Sequence, residues 1–132
     1  MKNILIIFSL LFINEKLFSQ NPNNFNIDNS KYMNQPLRIL LNNLPISNFK
    51  YTIVFNTNST NGDNHFTFYY TDIKTTDSLI FKARKTPKFI RIKVKEIINI
   101  NHEYRQQLRS RSWNEIDTRY FGNLTIIGIE QN

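Results

Sequence analysis

Within residues 89–95, the strict alternation of aliphatic and basic side chains that begins at Ile90 constrains the fold of this chain most strongly. The alternating positions of "FIRIKVK" are, in order, Phe89, Ile90, Arg91, Ile92, Lys93, Val94 and Lys95. Successive side chains of a strand point to opposite faces of the sheet. The pattern therefore predicts a half-buried strand, with its aliphatic face toward a core and its basic face toward solvent or a partner.

Further segments have the composition of strands. "FKYTIVFN" and "HFTFYYTD" are rich in β-branched and aromatic residues, and an Asn61-Gly62 turn signal lies between them. They predict a first hairpin, with Phe66, Phe68 and Tyr70 in the core. "SLIFKARK" and "KFIRIKVKEI", joined across residues 86–87, predict a second hairpin, and "NLTIIGIE" predicts a final strand.

A short helix is predicted before the first hairpin. Four leucines of "PLRILLNNLP" follow the i, i+3, i+4, i+7 spacing of one helical face, and Asn34 is positioned to cap it. The four are Leu37, Leu40, Leu41 and Leu44.

A helical pair is predicted after the second hairpin. Asn101 can cap "HEYRQQLRSR", and Ser112 with Glu115 resembles a capping box for a second stretch ending near Gly122. Trp113 is expected to pack this stretch onto the sheet. Together the elements predict an α+β fold: a short N-terminal helix, two β-hairpins, a helical pair and a final strand. The sheet would be roughly five-stranded, antiparallel or mixed, with its helices on one face.

The N-terminus has the pattern of a secretory signal peptide over residues 1–19. Lys2 precedes an apolar run of ten residues that is too short to span a bilayer, and small Ser19 lies near the expected cleavage site. We expect residues 20–31 to form a flexible lead-in and residues 32–132 a single domain. The chain has no cysteine, so neither disulfides nor a lipid-modified cysteine are expected. The mature chain is predicted to be periplasmic or secreted, soluble, and without a transmembrane segment.

Basic residues cluster in "FKARKTPKFIRIKVKE", residues 81–96, within a chain whose 17 Lys and Arg exceed its 10 Asp and Glu. In the predicted hairpin register, the basic side chains of both strands would form one two-strand patch. The candidate binding residues are Lys82, Arg84, Lys88, Arg91, Lys93 and Lys95. A solvated sheet face can also carry these charges without a partner, because the repulsion between like charges is small in water. Both interpretations stay open.

An anionic envelope component would match the predicted patch: lipopolysaccharide, an acidic glycan or a lipid headgroup. Another envelope protein is a further candidate partner, and nucleic acid is disfavoured. No metal and no cofactor are predicted, since His65 and His102 are the only histidines and cysteine is absent.

The function expected from these features is that of a non-enzymatic binding or envelope-organisation domain. Two alternatives remain. An open strand such as "LTIIGIE" could dock another protein by strand addition. A small hydrolase would require His102 within hydrogen-bonding reach of Glu115 or Asp117 in a cleft.

Overall fold

The structure is a computed structural model that describes residues 26–132. The predicted signal peptide and residues 20–25 of the predicted lead-in lie outside the described residues. The helices are α1 (Leu37–Leu41), α2 (Ile73–Asp77), α3 (His102–Ser110) and α4 (Glu115–Phe121). The strands are β1 (Tyr51–Phe55), β2 (Asn64–Tyr69), β3 (Phe89–Val94) and β4 (Ile126–Gln131). Short 3-10 turns occur at Asn29–Lys31 and Ile46–Asn48, and a π-helical turn at Ser78–Lys82.

The four strands form one antiparallel sheet in the order β1-β2-β3-β4. The mixed helix and sheet class is confirmed, but the predicted fifth strand is wrong. Thr67 lies opposite Ile53 on β1 and Arg91 on β3, and Arg91 lies opposite Glu130 on β4. This register determines which side chains share each face of the sheet.

The first hairpin is confirmed, and the Asn61-Gly62 pair lies in the loop between its two strands. Asn61 has a left-handed φ of 58°, a conformation in which asparagine is enriched among residues other than glycine. A Cβ on Gly62 would lie 2.1 Å from Thr57 Oγ1. The turn therefore has no room for a side chain at this position.

The second predicted hairpin is wrong, because "SLIFKARK" is helical rather than extended at its start. The Asp72 carboxylate caps α2 by accepting the Thr75 N–H at 2.9 Å. The helical path continues through Ser78–Lys82, where the Ala83 N–H donates to the Ser78 carbonyl at 3.0 Å. It ends at Arg84, whose φ of 50° is left-handed. A capping aspartate upstream thus overrides the apparent strand pattern.

The core lies between one face of the sheet and helices α1, α3 and α4. Leu37, Leu40, Leu41 and Leu44 are all buried, as the leucine spacing predicts. Phe66 and Phe68 are fully buried, and Tyr70 packs against the same core. Trp113 contacts Phe66 and Phe68 at ring-centroid distances of 5.5 and 5.0 Å, so its predicted packing on the sheet is confirmed.

Two of the predicted caps are wrong. Pro36, not Asn34, occupies the N-cap of α1, and the Asn34 N–H instead donates to the Ile126 carbonyl at 2.8 Å. The capping box of α4 is formed by Asn114 and Asp117 rather than by Ser112 and Glu115. The predicted Asn101 cap of α3 is confirmed, since its side chain accepts the Tyr104 N–H at 2.8 Å.

Residues 26–35 contact the outer edge of β4. Ile27 is buried, and its backbone N–H and carbonyl both meet the Gln131 side chain. The packed unit therefore includes Ile27, within the segment that the sequence pattern assigns to the lead-in. The division of the chain at residues 19 and 31 stays a prediction.

Candidate functional site

The sheet face opposite the core, here called the outer face, carries both polar and aromatic rows. One row runs across all four strands through Phe55, His65, Lys93 and Gly128. The next contains Thr67, Arg91 and Glu130. A third row is aromatic and contains Tyr51, Tyr69 and Phe89. Neighbouring rows are about 7 Å apart, the spacing of alternate residues in a strand.

Arg91 is held in place on the outer face by three neighbours. Its Nε donates to Thr67 Oγ1 at 3.2 Å, and its NH1 donates to Glu130 Oε2 at 3.0 Å. Its guanidinium carbon lies 5.1 Å from the centre of the Phe89 ring. Part of its charge is thus already matched by Glu130, although both side chains are partly exposed and the ion pair is weak.

A depression of about 350 Å³ beside Arg91 is balanced in charge. It is lined by Arg91 and Lys93 but also by Asp63 and Glu130. His65 Nδ1 lies 3.0 Å from Asp63 Oδ1, and Arg91 is paired with Glu130. An anionic ligand would meet two carboxylates here, so this part of the outer face is a mixed polar surface rather than a basic one.

The segment joining β2 to β3, residues 70–88, forms a second depression of about 460 Å³, here called the basic hollow. Its lining combines aromatic residues of the outer face with basic and apolar residues of the connection, and it includes no carboxylate. The lining residues are Tyr69, Ile80, Arg84, Lys85, Thr86, Pro87 and Phe89. No Asp or Glu occurs between Asp77 and Glu96 in the sequence.

The basic side chains of the hollow are available to a ligand. Within residues 26–132, Arg84 and Lys85 form no salt bridge and are exposed, and the same holds for Lys82, which lies nearby in the connection but outside the lining. Tyr69 stacks on Tyr51 at a centroid distance of 4.7 Å and also contacts Phe89 at 6.3 Å. Burial raises the pKa of the Tyr69 hydroxyl, which is neutral at physiological pH even at the ordinary tyrosine pKa of about 10. The hollow thus has an aromatic floor and a basic rim.

The predicted two-strand basic patch is wrong as a geometry, because the structure divides its six residues among three places. Lys82, Arg84 and Lys88 lie in the β2–β3 connection. Arg91 and Lys93 point to the outer face, opposite the buried Ile90, Ile92 and Val94, as their alternation predicts. Lys95 follows β3, where its backbone bonds Asn61 and Thr125.

Three important residues are missing from the sequence-based candidate set. Lys85 lies in the same basic stretch and lines the hollow beside Arg84. Asp63 and Glu130 neutralise charge on the outer face, but they come from a turn and from another strand. Only the strand register brings Glu130 opposite Arg91, and a single sequence does not provide that register.

Asp117 belongs to a buried structural cluster rather than to a catalytic pair. Its carboxylate is 0% exposed and accepts hydrogen bonds from Arg111 at 2.6 and 2.9 Å, from the Tyr104 hydroxyl at 2.5 Å and from the Asn114 N–H at 2.9 Å. Burial raises the pKa of Asp117, but the hydrogen bonds from Arg111 and Tyr104 outweigh it, so the pKa lies below its ordinary value. Burial, and then the bond to Asp117, raise the pKa of Tyr104 to about 12.

His102 does not join this cluster. It is exposed in the first turn of α3, and in the described part of the chain it forms no hydrogen bond with Glu115 or Asp117. The geometry required for the hydrolase alternative is therefore absent from residues 26–132.

Both edges of the sheet are in contact with other parts of the chain. Arg105 on α3 donates to the Val54 carbonyl on β1. The Ile126 N–H of β4 donates to the Gln35 carbonyl at 2.9 Å, and the Asn29 side chain donates to the Ile129 carbonyl at 3.0 Å. Strand addition along β4 would have to displace these contacts from residues 26–35.

A wider groove of about 600 Å³ lies between α1 and α4. Its lining combines Arg38 and Arg119 with Glu115, and Arg38 already hydrogen-bonds Asn123. Over residues 26–132, His, Asp and Glu side chains do not gather in a group of three that could hold a metal ion. The helices in this same range are too short or too polar to cross a membrane.

Comparison of the chain with family models, with curated proteins and with solved structures gave no significant match in any of the three.

Proposed function

We propose that this protein is a non-enzymatic binding domain that holds an anionic ligand of the cell envelope in the basic hollow. One observation carries this proposal: Arg84 and Lys85 converge with the aromatic rings of Tyr69 and Phe89 in a depression that no carboxylate lines. The depression beside Arg91 lacks this combination, because Asp63 and Glu130 are part of its lining.

The chemistry of the hollow suits phosphate, sulfate or carboxylate groups attached to a larger body. The planar guanidinium of Arg84 can donate two parallel hydrogen bonds to such a group, while the ammonium of Lys85 acts as a mobile point charge. The aromatic rings offer an apolar surface for the part of the ligand that carries the charge. Lys82 and Lys88 extend the basic character along the connection.

The placement of the ligand in the envelope follows from the signal-peptide pattern of residues 1–19 and from the absence of cysteine. We infer export to the periplasm or the exterior, with a mature chain that begins at or next to Gln20. N-terminal sequencing of protein recovered outside the cytoplasm checks this inference, and an intact Met1 would contradict it.

The double substitution Arg84→Asn with Lys85→Gln tests the hollow directly. Asparagine tolerates the left-handed φ of residue 84, so the change removes charge without new backbone strain. We expect binding of a sulfated hexasaccharide, measured by calorimetry, to weaken by at least ~10-fold, because each charged hydrogen bond contributes roughly 1.5–3 kcal/mol.

The matched control is Lys31→Gln with Arg119→Gln, which removes the same amount of charge from exposed sites outside the hollow. Its affinity should stay close to that of the parent. Parent binding should also weaken as salt shortens the screening length from about 10 Å to about 3 Å. Equal losses in both double variants would contradict a specific site and indicate attraction by net charge alone.

A further inference from the structure

Two adjacent apolar side chains are exposed at the basic hollow, and one of them, Ile80, belongs to its lining. Phe81 is 77% exposed and Ile80 is 41% exposed, both within the π-helical turn Ser78–Lys82. Among residues 26–132, the Phe81 ring has no aromatic contact. A single exposed apolar side chain is common on protein surfaces, so what distinguishes this pair is its position next to a basic cluster that is unpaired within residues 26–132.

Basic residues follow this apolar pair in the sequence. Lys82 follows Phe81 directly, and Arg84 and Lys85 come within the next four positions. The left-handed turn at Arg84 ends the helical path, and the Lys85 N–H returns to the Leu79 carbonyl at 2.8 Å. Residues 80–85, here called the tip of the connection, therefore combine exposed apolar side chains with basic ones on one compact loop.

We propose that this tip docks on an anionic lipid bilayer, with Phe81 and Ile80 entering the headgroup region and with Lys82, Arg84 and Lys85 contacting lipid phosphates. The inference rests on the proposed function, because it names lipid headgroups as the ligand of the basic hollow. Aromatic and aliphatic side chains flanked by Lys and Arg form the combination that favours the interface of an anionic membrane. Each basic residue near such a surface strengthens binding about fivefold.

Charge complementarity favours a bilayer over a second copy of the chain. A symmetric dimer built on Phe81 would bring Lys82, Arg84 and Lys85 of one copy close to the same residues of the other. The full chain also carries a net charge of +7, which opposes its self-association. An inorganic anion, in contrast, has no apolar part that could contact the exposed Phe81 ring.

Phe81→Ser separates the apolar contact from the charged one. We expect this variant to bind phosphatidylcholine vesicles that contain phosphatidylglycerol at least ~10-fold more weakly than the parent in sedimentation assays. It should bind the sulfated hexasaccharide as tightly as the parent does. The matched control is Ile116→Ser on α4, which removes another exposed apolar side chain and should leave both affinities unchanged.

A spectroscopic measurement reports on insertion itself. In a Phe81→Trp variant, the new indole should show a shift of emission to shorter wavelength on adding the anionic vesicles, whereas buried Trp113 should not respond. Vesicles of phosphatidylcholine alone should produce little shift, because they lack the negative charge that attracts the basic rim.

The outcomes distinguish this inference from the proposed function. Parent-like vesicle binding by Phe81→Ser would overturn the apolar insertion. Hexasaccharide binding by the parent without vesicle binding would overturn the bilayer as ligand while leaving the anionic hollow in place. Failure to bind either probe would overturn both proposals. Self-association of the parent that disappears in Phe81→Ser would instead assign the tip to a contact between copies.

Discussion

Asp117 illustrates how one buried carboxylate organises the region after α3. Its carboxylate accepts hydrogen bonds from Arg111, from the Tyr104 hydroxyl and from the backbone at the start of α4 at the same time. Asp117 also forms a capping box with Asn114, so it stabilises the start of α4 in addition to pairing with Arg111. A buried charge with this many partners is stable only as a set, since removing one member leaves the others unpaired.

We predict that Asp117→Asn lowers the free energy of unfolding by about 3 kcal/mol, the lower end for breaking a buried pair, because Arg111 keeps some contact with water. Glu115→Gln, at an exposed position in the same helix, should change it by less than about 0.5 kcal/mol. Urea unfolding curves measure both. Overlapping curves for Asp117→Asn and the parent would contradict the structural role of the cluster.

The same variant has an expected pH dependence. The folded pKa of Asp117 is lowered, so its contribution is present above the unfolded pKa of about 4 and is lost as pH falls through the lower folded pKa. The stability difference between parent and Asp117→Asn should therefore shrink below about pH 4. A difference that stays constant with acidification would contradict the ionised state of Asp117 in the folded protein.

At the scale of elements, the sequence predicts those helices and strands whose side-chain period is reinforced by a local signal. The leucine spacing of α1, the Asn-Gly turn of the first hairpin and the Asn101 cap of α3 are examples. The connection between β2 and β3 was mispredicted because Ile80 and Phe81 are exposed. The spacing of these apolar residues therefore does not indicate which side of the segment faces the core. The helix is instead indicated by Asp72, which caps its N-terminus.

We expect Leu40→Ala in α1 to destabilise the protein by about 2–5 kcal/mol, because Leu40 is fully buried and its loss leaves a cavity. The neighbouring Ile39 is 40% exposed, and Ile39→Ala should cost less than about 1 kcal/mol. Thermal melting of the two variants makes the comparison within a single helix. Equal shifts in both would contradict the assignment of the buried face of α1.

At the scale of the whole molecule, charge placement differs from what the linear sequence suggests. The Lys and Arg residues within 81–96 lie close together in the sequence, but the fold separates them. Arg91 pairs with Glu130, whereas Arg84 and Lys85 have no carboxylate partner in the described chain. Local patterns correctly assign the faces of β3. They do not reveal which acid a different strand brings across the sheet, because that depends on the pairing of β3 with β4.

Both the proposed anionic ligand and the proposed membrane contact are assigned to one surface, formed by the basic hollow and the tip that borders it. An amide chemical-shift titration of the isotopically labelled protein with the sulfated hexasaccharide tests this surface most directly. We predict that the largest shifts occur at Tyr69, Arg84, Lys85 and Phe89 and that they disappear in Arg84→Asn with Lys85→Gln. Largest shifts around Arg38 and Arg119, or around Lys93 and Glu130, would contradict the assignment of the anionic site to the hollow.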